Sequence, residues 1–213
     1  MAEKFTVYLV DDDPGVLKAL SRLLRVRGYD VKPYASPPLF LEEHDAALPG
    51  CAILDVSMPG LDGLELQRAL TVSDGFHRPV VFVTGKGDIP TSVRAMKAGA
   101  IDFLTKPVKD EDLFDAISRA EVRDAHSRKV HSELTSIQAK IGTLTPRERE
   151  VLVQVVAGRL NKQIAGDLGT VEKTIKVHRG RMMEKLGVRN VADLVRMVEK
   201  LNFEVKTPTE IGP

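Results

Sequence analysis

Strict alternation of short apolar runs with amphipathic stretches constrains the first half of the chain more than any other feature. The pattern predicts strands over Phe5–Val10, Tyr29–Tyr34, Cys51–Leu54, Val80–Val83 and Ile101–Leu104. Between and after them it predicts helices over Pro14–Val26, Pro38–His44, Leu64–Leu70, Pro90–Ala98 and from Glu111 onward. Five strand–helix pairs in this order imply a parallel sheet with helices on both faces. Strands covered on both sides need no polar face. The run Val80-Val81-Phe82-Val83 reads that way.

From Asp110 to Lys140 the pattern stays helical and charged, with no proline or glycine. It reads as the last helix of the first domain running on into a solvated helical linker. After Gly142 the strand signal is gone. Thr145-Pro146-Arg147-Glu148 is a helix start: threonine caps, proline suits the first turn, and the glutamate three residues on completes a capping box. Helices are predicted over Pro146–Ala157, Lys162–Leu168, Glu172–Leu186 and Val191–Leu201, with a frayed tail from Asn202. The division is an α/β domain over 1–122, a helical linker over 123–143, a small all-α four-helix domain over 144–203, and a flexible tail over 204–213.

The near-zero net charge of +1 hides an asymmetry. Residues 1–120 carry 18 acidic and 14 basic side chains, whereas residues 121–213 carry 12 and 17. An acidic half suited to a cation beside a basic half suited to a polyanion fits halves with different partners. No apolar run approaches the roughly 18 residues needed to cross a bilayer, and the N-terminus shows no signal-peptide pattern. The expected location is the cytoplasm, without a membrane partner. The one cysteine, Cys51, excludes an internal disulfide and sits in an apolar run that suits a buried strand.

Ligands of parallel α/β sheets bind beyond the carboxyl ends of the strands. There the first strand ends in Asp11-Asp12-Asp13, the third in Asp55 and the fourth in Thr84, and the fifth is followed by Lys106-Pro107. Taken singly, each has an ordinary reading. Asp13-Pro14 is a helix cap, Asp55 a loop residue, Thr84 a strand end and Lys106 a solvated lysine. Taken together they form a site. Crowded carboxylates repel one another unless a cation sits among them. Mg2+ is the hard, oxygen-seeking cation that keeps waters and binds phosphate oxygens. A carboxylate beside such a cation can attack a phosphoryl group and form an acyl phosphate.

Residues 5–120 resemble the receiver domain of bacterial response regulators, a five-stranded, flavodoxin-like parallel sheet alternating with five helices. The matching pieces are Val10-Asp11-Asp12-Asp13, Leu54-Asp55-Val56-Ser57-Met58-Pro59-Gly60-Leu61-Asp62-Gly63, Thr84-Gly85-Lys86-Gly87-Asp88, and Ala98-Gly99-Ala100-Ile101-Asp102-Phe103-Leu104-Thr105-Lys106-Pro107. The stretch from Thr84 to Pro107 is most similar to the FixJ subgroup. The resemblance implies that Asp55 is the phosphoacceptor. It implies Mg2+ ligands in Asp12, Asp55 and the Ser57 backbone carbonyl, with Asp11 assisting through water. Thr84 and Lys106 would contact the phosphoryl group, Phe103 would be the switch aromatic, and the Lys106-Pro107 bond would be cis. Read from sequence alone, a phenylalanine ending a strand, as Phe103 does, is also an ordinary core residue.

Residues 161–186 read as a helix, a turn at Gly169 and a second helix capped by Thr170. On that second helix Ile175, Met182 and Leu186 share one face, and Lys173, Lys176, Val177 and Gly180 the other. A helix with one packing face and one basic, flat face suits the major groove. It equally suits a solvated amphipathic helix. Residues 144–201 resemble the LuxR-type DNA-binding domain on Leu144-Thr145-Pro146-Arg147-Glu148-Arg149-Glu150-Val151-Leu152, Asn161-Lys162-Gln163-Ile164-Ala165 and Lys173-Thr174-Ile175-Lys176-Val177-His178. The resemblance implies base contacts from Lys176 and Val177 and phosphate contacts from Lys173, Thr174 and Arg179. Several relatives carry a basic side chain where this chain has Gly180. His178 stays open between a phosphate contact and packing.

The two resemblances together imply a non-enzymatic transcription regulator of a two-component system. A sensor histidine kinase would phosphorylate Asp55. The chain would then form a homodimer through its fourth helix, fifth strand and fifth helix and bind a two-fold DNA operator, with RNA polymerase a further candidate partner. Two other readings remain at this point. One is a phosphohydrolase with Asp11 as nucleophile and Asp13 as acid. The other is an interaction protein whose first domain controls a protein rather than DNA.

Overall fold

The computed structural model describes residues 4–72, 77–85 and 87–205. The chain divides into two compact units, Met1–His131 and Ser132–Pro213. Lys86 and residues 206–213 of the expected tail lie outside the described residues.

The first unit alternates β1 (Thr6–Val10), α1 (Pro14–Val26), β2 (Asp30–Tyr34), α2 (Pro37–Glu43), β3 (Gly50–Leu54), α3 (Gly63–Val72), β4 (Val80–Thr84), α4 (Ile89–Lys97), β5 (Asp102–Thr105) and the first part of α5 (Asp110–Gly142), whose residues from Ser132 onward belong to the second unit. The strands form one sheet in the order β2-β1-β3-β4-β5, with every pairing parallel. The three inner strands, β1, β3 and β4, are buried along their whole length. Pro33 sits in β2, at the sheet edge, where its missing N–H costs no inner ladder bond.

Period-two alternation sends the strand side chains into two cores. Tyr8, Val10, Ala52, Leu54, Val80 and Phe82 pack with Phe40, Leu64, Leu66, Leu70 and Ala95. Val7, Leu9, Cys51, Ile53, Val81 and Val83 pack with Leu24, Leu113, Ala116, Ile117 and Ala120. Complete burial of a side chain such as Phe82 contributes roughly 1.5–3 kcal/mol. Burial also pushes the Cys51 thiol up from its ordinary value, so it is held protonated and unreactive.

Helix α5 is less solvated than its charge pattern suggests. Asp124 is only 1% exposed. Its carboxylate accepts from the Gly50 amide at 3.3 Å and from Arg128 Nε at 2.8 Å. Arg128 also donates to the carbonyls of Ala46 at 3.1 Å and Ala47 at 2.6 Å, and to that of Leu48. These carbonyls come from a loop distant in sequence, so no local pattern marks Asp124 as buried.

The second unit contains α6 (Pro146–Val156), α7 (Asn161–Asp167), α8 (Glu172–Leu186) and α9 (Val191–Val205). Helix α9 runs past Asn202, where fraying was expected. The core is Leu144, Val151, Leu152, Val155, Ile164, Ile175, Met182, Leu186 and Leu194. The capping box at Thr145 and Glu148 forms as the sequence predicts. Buried Glu148 additionally pairs with Lys185 of α8 at 2.6 Å. The cap of α8 differs from the expectation. Val171, not Thr170, is the N-cap, with no side-chain cap bond. Thr170 is still finishing α7: its amide donates to the Ala165 carbonyl at 2.9 Å, across Gly169, whose φ of +62° lets the chain turn.

Candidate functional site

The β1–β3 register pairs Val10 with Leu54, so the next residues, Asp11 and Asp55, emerge side by side at the carboxyl edge of the sheet. Their backbones are fixed by Asp55 N–H donating to Val10 O at 2.9 Å and Asp11 N–H to Tyr34 O at 3.2 Å. Lys106 follows β5, and its amide donates to the Thr84 carbonyl at 2.8 Å. The Lys106-Pro107 bond is cis. From there Lys106 Nζ bridges the two carboxylates, 2.5 Å from Asp11 Oδ2 and 2.9 Å from Asp55 Oδ1. Both aspartate side chains are buried, and the lysine is a quarter exposed.

The remaining carboxylate oxygens are also held. Asp55 Oδ2 accepts from the Ser57 amide at 2.5 Å, and Asp11 Oδ1 from the Asp13 amide at 3.0 Å. Burial raises the Asp11 carboxyl above its ordinary value against the pull of Lys106. Burial acts to lower Lys106, but its hydrogen bonds to Asp11 and Asp55 outweigh it, and the net shift is upward. The ammonium stays charged.

Asp12 is exposed beside this pair. Asp13 turns away and caps α1, accepting from Gly15 N at 2.7 Å and Val16 N at 3.3 Å. Thr84 is fully buried at the end of β4. Phe103 is half-buried, its ring 5.9 Å from that of Phe82 and packed on the core beneath.

Among the described residues no group of three or more His, Cys, Asp or Glu side chains is arranged to hold a metal ion. The donor set nevertheless suits Mg2+, which takes oxygen ligands and completes its shell with water. Lys106 already places a positive charge between the same two carboxylates. The residues present therefore fit the ion.

Two glycines that shape the site carry no chemistry and escape a search for functional side chains. A Cβ at Gly63 would stand 2.2 Å from the Asp55 carbonyl oxygen, so α3 can begin against the Asp55 backbone only with glycine there. A Cβ at Gly87 would stand 2.8 Å from Phe103 Cε1. The signal was visible as glycines within the quoted motifs, but their reason is tertiary.

In the second unit, Lys173, Lys176, Val177 and Gly180 lie on the exposed face of α8. Ile175, Met182 and Leu186 on the opposite face are fully buried. Thr174 and His178 are half-buried. Arg179 is half-buried too, and its Nη1 donates to Asn161 Oδ1 at 2.9 Å, which joins α8 to the start of α7.

Residues 7–118 match the family described as "Response regulator receiver domain", and residues 142–198 the family described as "Bacterial regulatory proteins, luxR family". Response regulator protein TmoT of Ectopseudomonas mendocina is 43% identical over 96% of this chain and 92% of its own length. Nodulation protein W of Bradyrhizobium diazoefficiens is 41% identical over 94% of this chain and 88% of its own. Among solved structures, response regulator StyR superposes with a TM-score of 0.78 at 45% identity, covering 92% of this chain and 99% of that one. Full-length FixJ from B. japonicum gives 0.56 at 34% identity, covering 95% and 99%.

Proposed function

The chain belongs to the response regulators that join a receiver domain to a LuxR-type DNA-binding domain, and we propose that it is a cytoplasmic transcription factor switched by phosphorylation of Asp55. Members of this family regulate transcription and are not enzymes. The proposed division keeps a receiver over 1–122, a helical linker over 123–143, a helix-turn-helix domain over 144–203 and a tail over 204–213. No described helix is long and apolar enough to cross a membrane.

The observation that carries the proposal is the bridge from Lys106 to Asp11 and Asp55. In the proposed reaction an Asp55 carboxylate oxygen attacks the phosphorus of a sensor kinase's phosphohistidine. The new bond is an acyl phosphate, and the bond broken is phosphorus to imidazole nitrogen. Lys106 leaves its carboxylate partner to contact a phosphoryl oxygen, and Thr84 contacts another. Asp12, Asp55 and the Ser57 carbonyl would hold Mg2+, with Asp11 assisting through water, and the ion would neutralise charge on the phosphoryl oxygens. Phe103 then reports the modification.

The output step is dimerisation and binding of a two-fold operator. Helix α4 supports a pairing role through its exposed apolar side chains Ile89, Val93 and Met96, spaced along one side of the helix. In α8, Lys176 and Val177 would meet bases, while Lys173, Thr174 and Arg179 would meet phosphates. RNA polymerase is a further proposed partner.

Labelling with radioactive acetyl phosphate in Mg2+ tests the first step. Wild type takes up label, and Asp55→Asn takes up none. Equal labelling of the two proteins would remove Asp55 from the role.

A further inference from the structure

The first turn of α8 carries an acidic residue, Glu172, beside the basic and flat side chains of the exposed face. Glu172 Oε1 lies 3.1 Å from Lys176 Nζ, one helical turn away, with the two side chains 46% and 64% exposed. Both share the open side of the helix with Lys173, Val177 and Gly180. Glu172 is the first residue of α8. The N-terminal residues of a recognition helix are those that reach base edges. A carboxylate carried there is repelled by the phosphates, although the helix dipole offsets part of that repulsion. It gains in the major groove only where a base offers it a hydrogen, as cytosine N4 does.

We propose that Glu172 is a specificity-determining residue that reads one C·G pair jointly with Lys176. This rests on α8 being the recognition helix. The carboxylate accepts from cytosine N4, and the ammonium donates to guanine O6 and N7. A C·G pair shows that donor and acceptor side by side, separated by one base-pairing hydrogen bond of roughly 2.9 Å. The acceptor and donor of the ion pair are themselves 3.1 Å apart. The two side chains can therefore stay paired while each exchanges water for a base. An A·T pair also sets a donor, adenine N6, beside an acceptor, thymine O4. Beyond O4 comes a methyl group where guanine has N7, so the ammonium loses its second acceptor. Glu172 also rejects sites that place only acceptors beneath it.

The experiment is selection of binding sites from random duplexes by the full chain incubated with acetyl phosphate and Mg2+. The proteins are wild type, Glu172→Ala, Glu172→Gln and Lys176→Ala. Wild type recovers half-sites containing a C·G pair. Glu172→Ala keeps the other positions and loses preference there by roughly tenfold, the size of one base contact. Glu172→Gln moves that position toward adenine, because an amide pairs with N6 and N7. Lys176→Ala relaxes the same position or its neighbour. A carboxylate acting only through its charge would change affinity for all duplexes without moving any base preference, and that result overturns the proposal. If Glu172→Ala selects the wild-type site while Lys176→Ala does not, the joint reading fails and the recognition helix stands. If neither variant alters any position, the base-reading role of this face fails as well.

Discussion

Three adjacent aspartates have three different fates. Asp11 is buried and bridged to Lys106, Asp12 is exposed, and Asp13 caps α1. The difference comes from where each falls on the turn out of β1, since the side chains are chemically the same. It yields a paired prediction. Asp13→Ala removes the two cap hydrogen bonds and costs about 1 kcal/mol of stability, without altering the cation needed for phosphorylation. Asp12→Ala raises the Mg2+ concentration for half-maximal labelling and leaves thermal stability within about 0.5 kcal/mol. A Mg2+ titration of acetyl-phosphate labelling, run beside urea unfolding, measures both. An unchanged requirement in Asp12→Ala would place the ion elsewhere. The Asp11 neighbourhood also bears on the phosphohydrolase reading weighed from sequence: Asp13, its required acid, is committed to α1.

Among the elements, α6 and α8 show how a local motif becomes a tertiary one. The capping box satisfies the start of α6, and the same Glu148 carboxylate then accepts from Lys185. The hydrogen bond from Lys185, followed by that from the Thr145 amide, holds the Glu148 carboxyl below its ordinary value of 4.5. A carboxyl depressed in the folded chain adds stability above pH 4.5 and loses it as pH falls through the depressed value. Glu148→Gln removes this contribution. Thermal melts of both proteins from pH 7 to pH 3 should therefore show a gap that narrows as pH falls below 4.5. A gap constant with pH would show that the pair contributes nothing through its charge. Most element positions were legible beforehand, because helix and strand periods differ and the caps are local. The α8 cap was not. The turn at Gly169 uses one more residue to close α7 than the Thr170 signal implied.

For the whole molecule, the proposed switch links chemistry at one sheet edge to the spacing of two recognition helices. Operator half-sites lie about one turn of DNA apart, which a monomer cannot span. Sedimentation of the full chain treated with beryllofluoride should show a dimer at concentrations where the untreated chain is monomeric. Ile89→Glu and Met96→Glu, which place charge on the exposed apolar side of α4, should weaken that dimer at least tenfold by charge repulsion and desolvation. A treated chain that saturates operator DNA as a monomer would overturn the proposed output step.

By itself the sequence determined the alternation of strands and helices, the two domain types, and which polar residues stand at the strand ends: Asp11, Asp55, Thr84 and Lys106 are each the residue that ends or follows a strand. Periodicity and strand order are enough for this, because a parallel sheet gathers all its carboxyl ends on one edge. Only tertiary structure decided which groups touch. Lys106 reaches Asp11 across 95 residues of chain, Arg128 reaches the carbonyls at 46–48, and Gly63 and Gly87 matter for what a Cβ would strike. Such contacts depend on distances between segments far apart in the chain, and no local residue pattern encodes those distances.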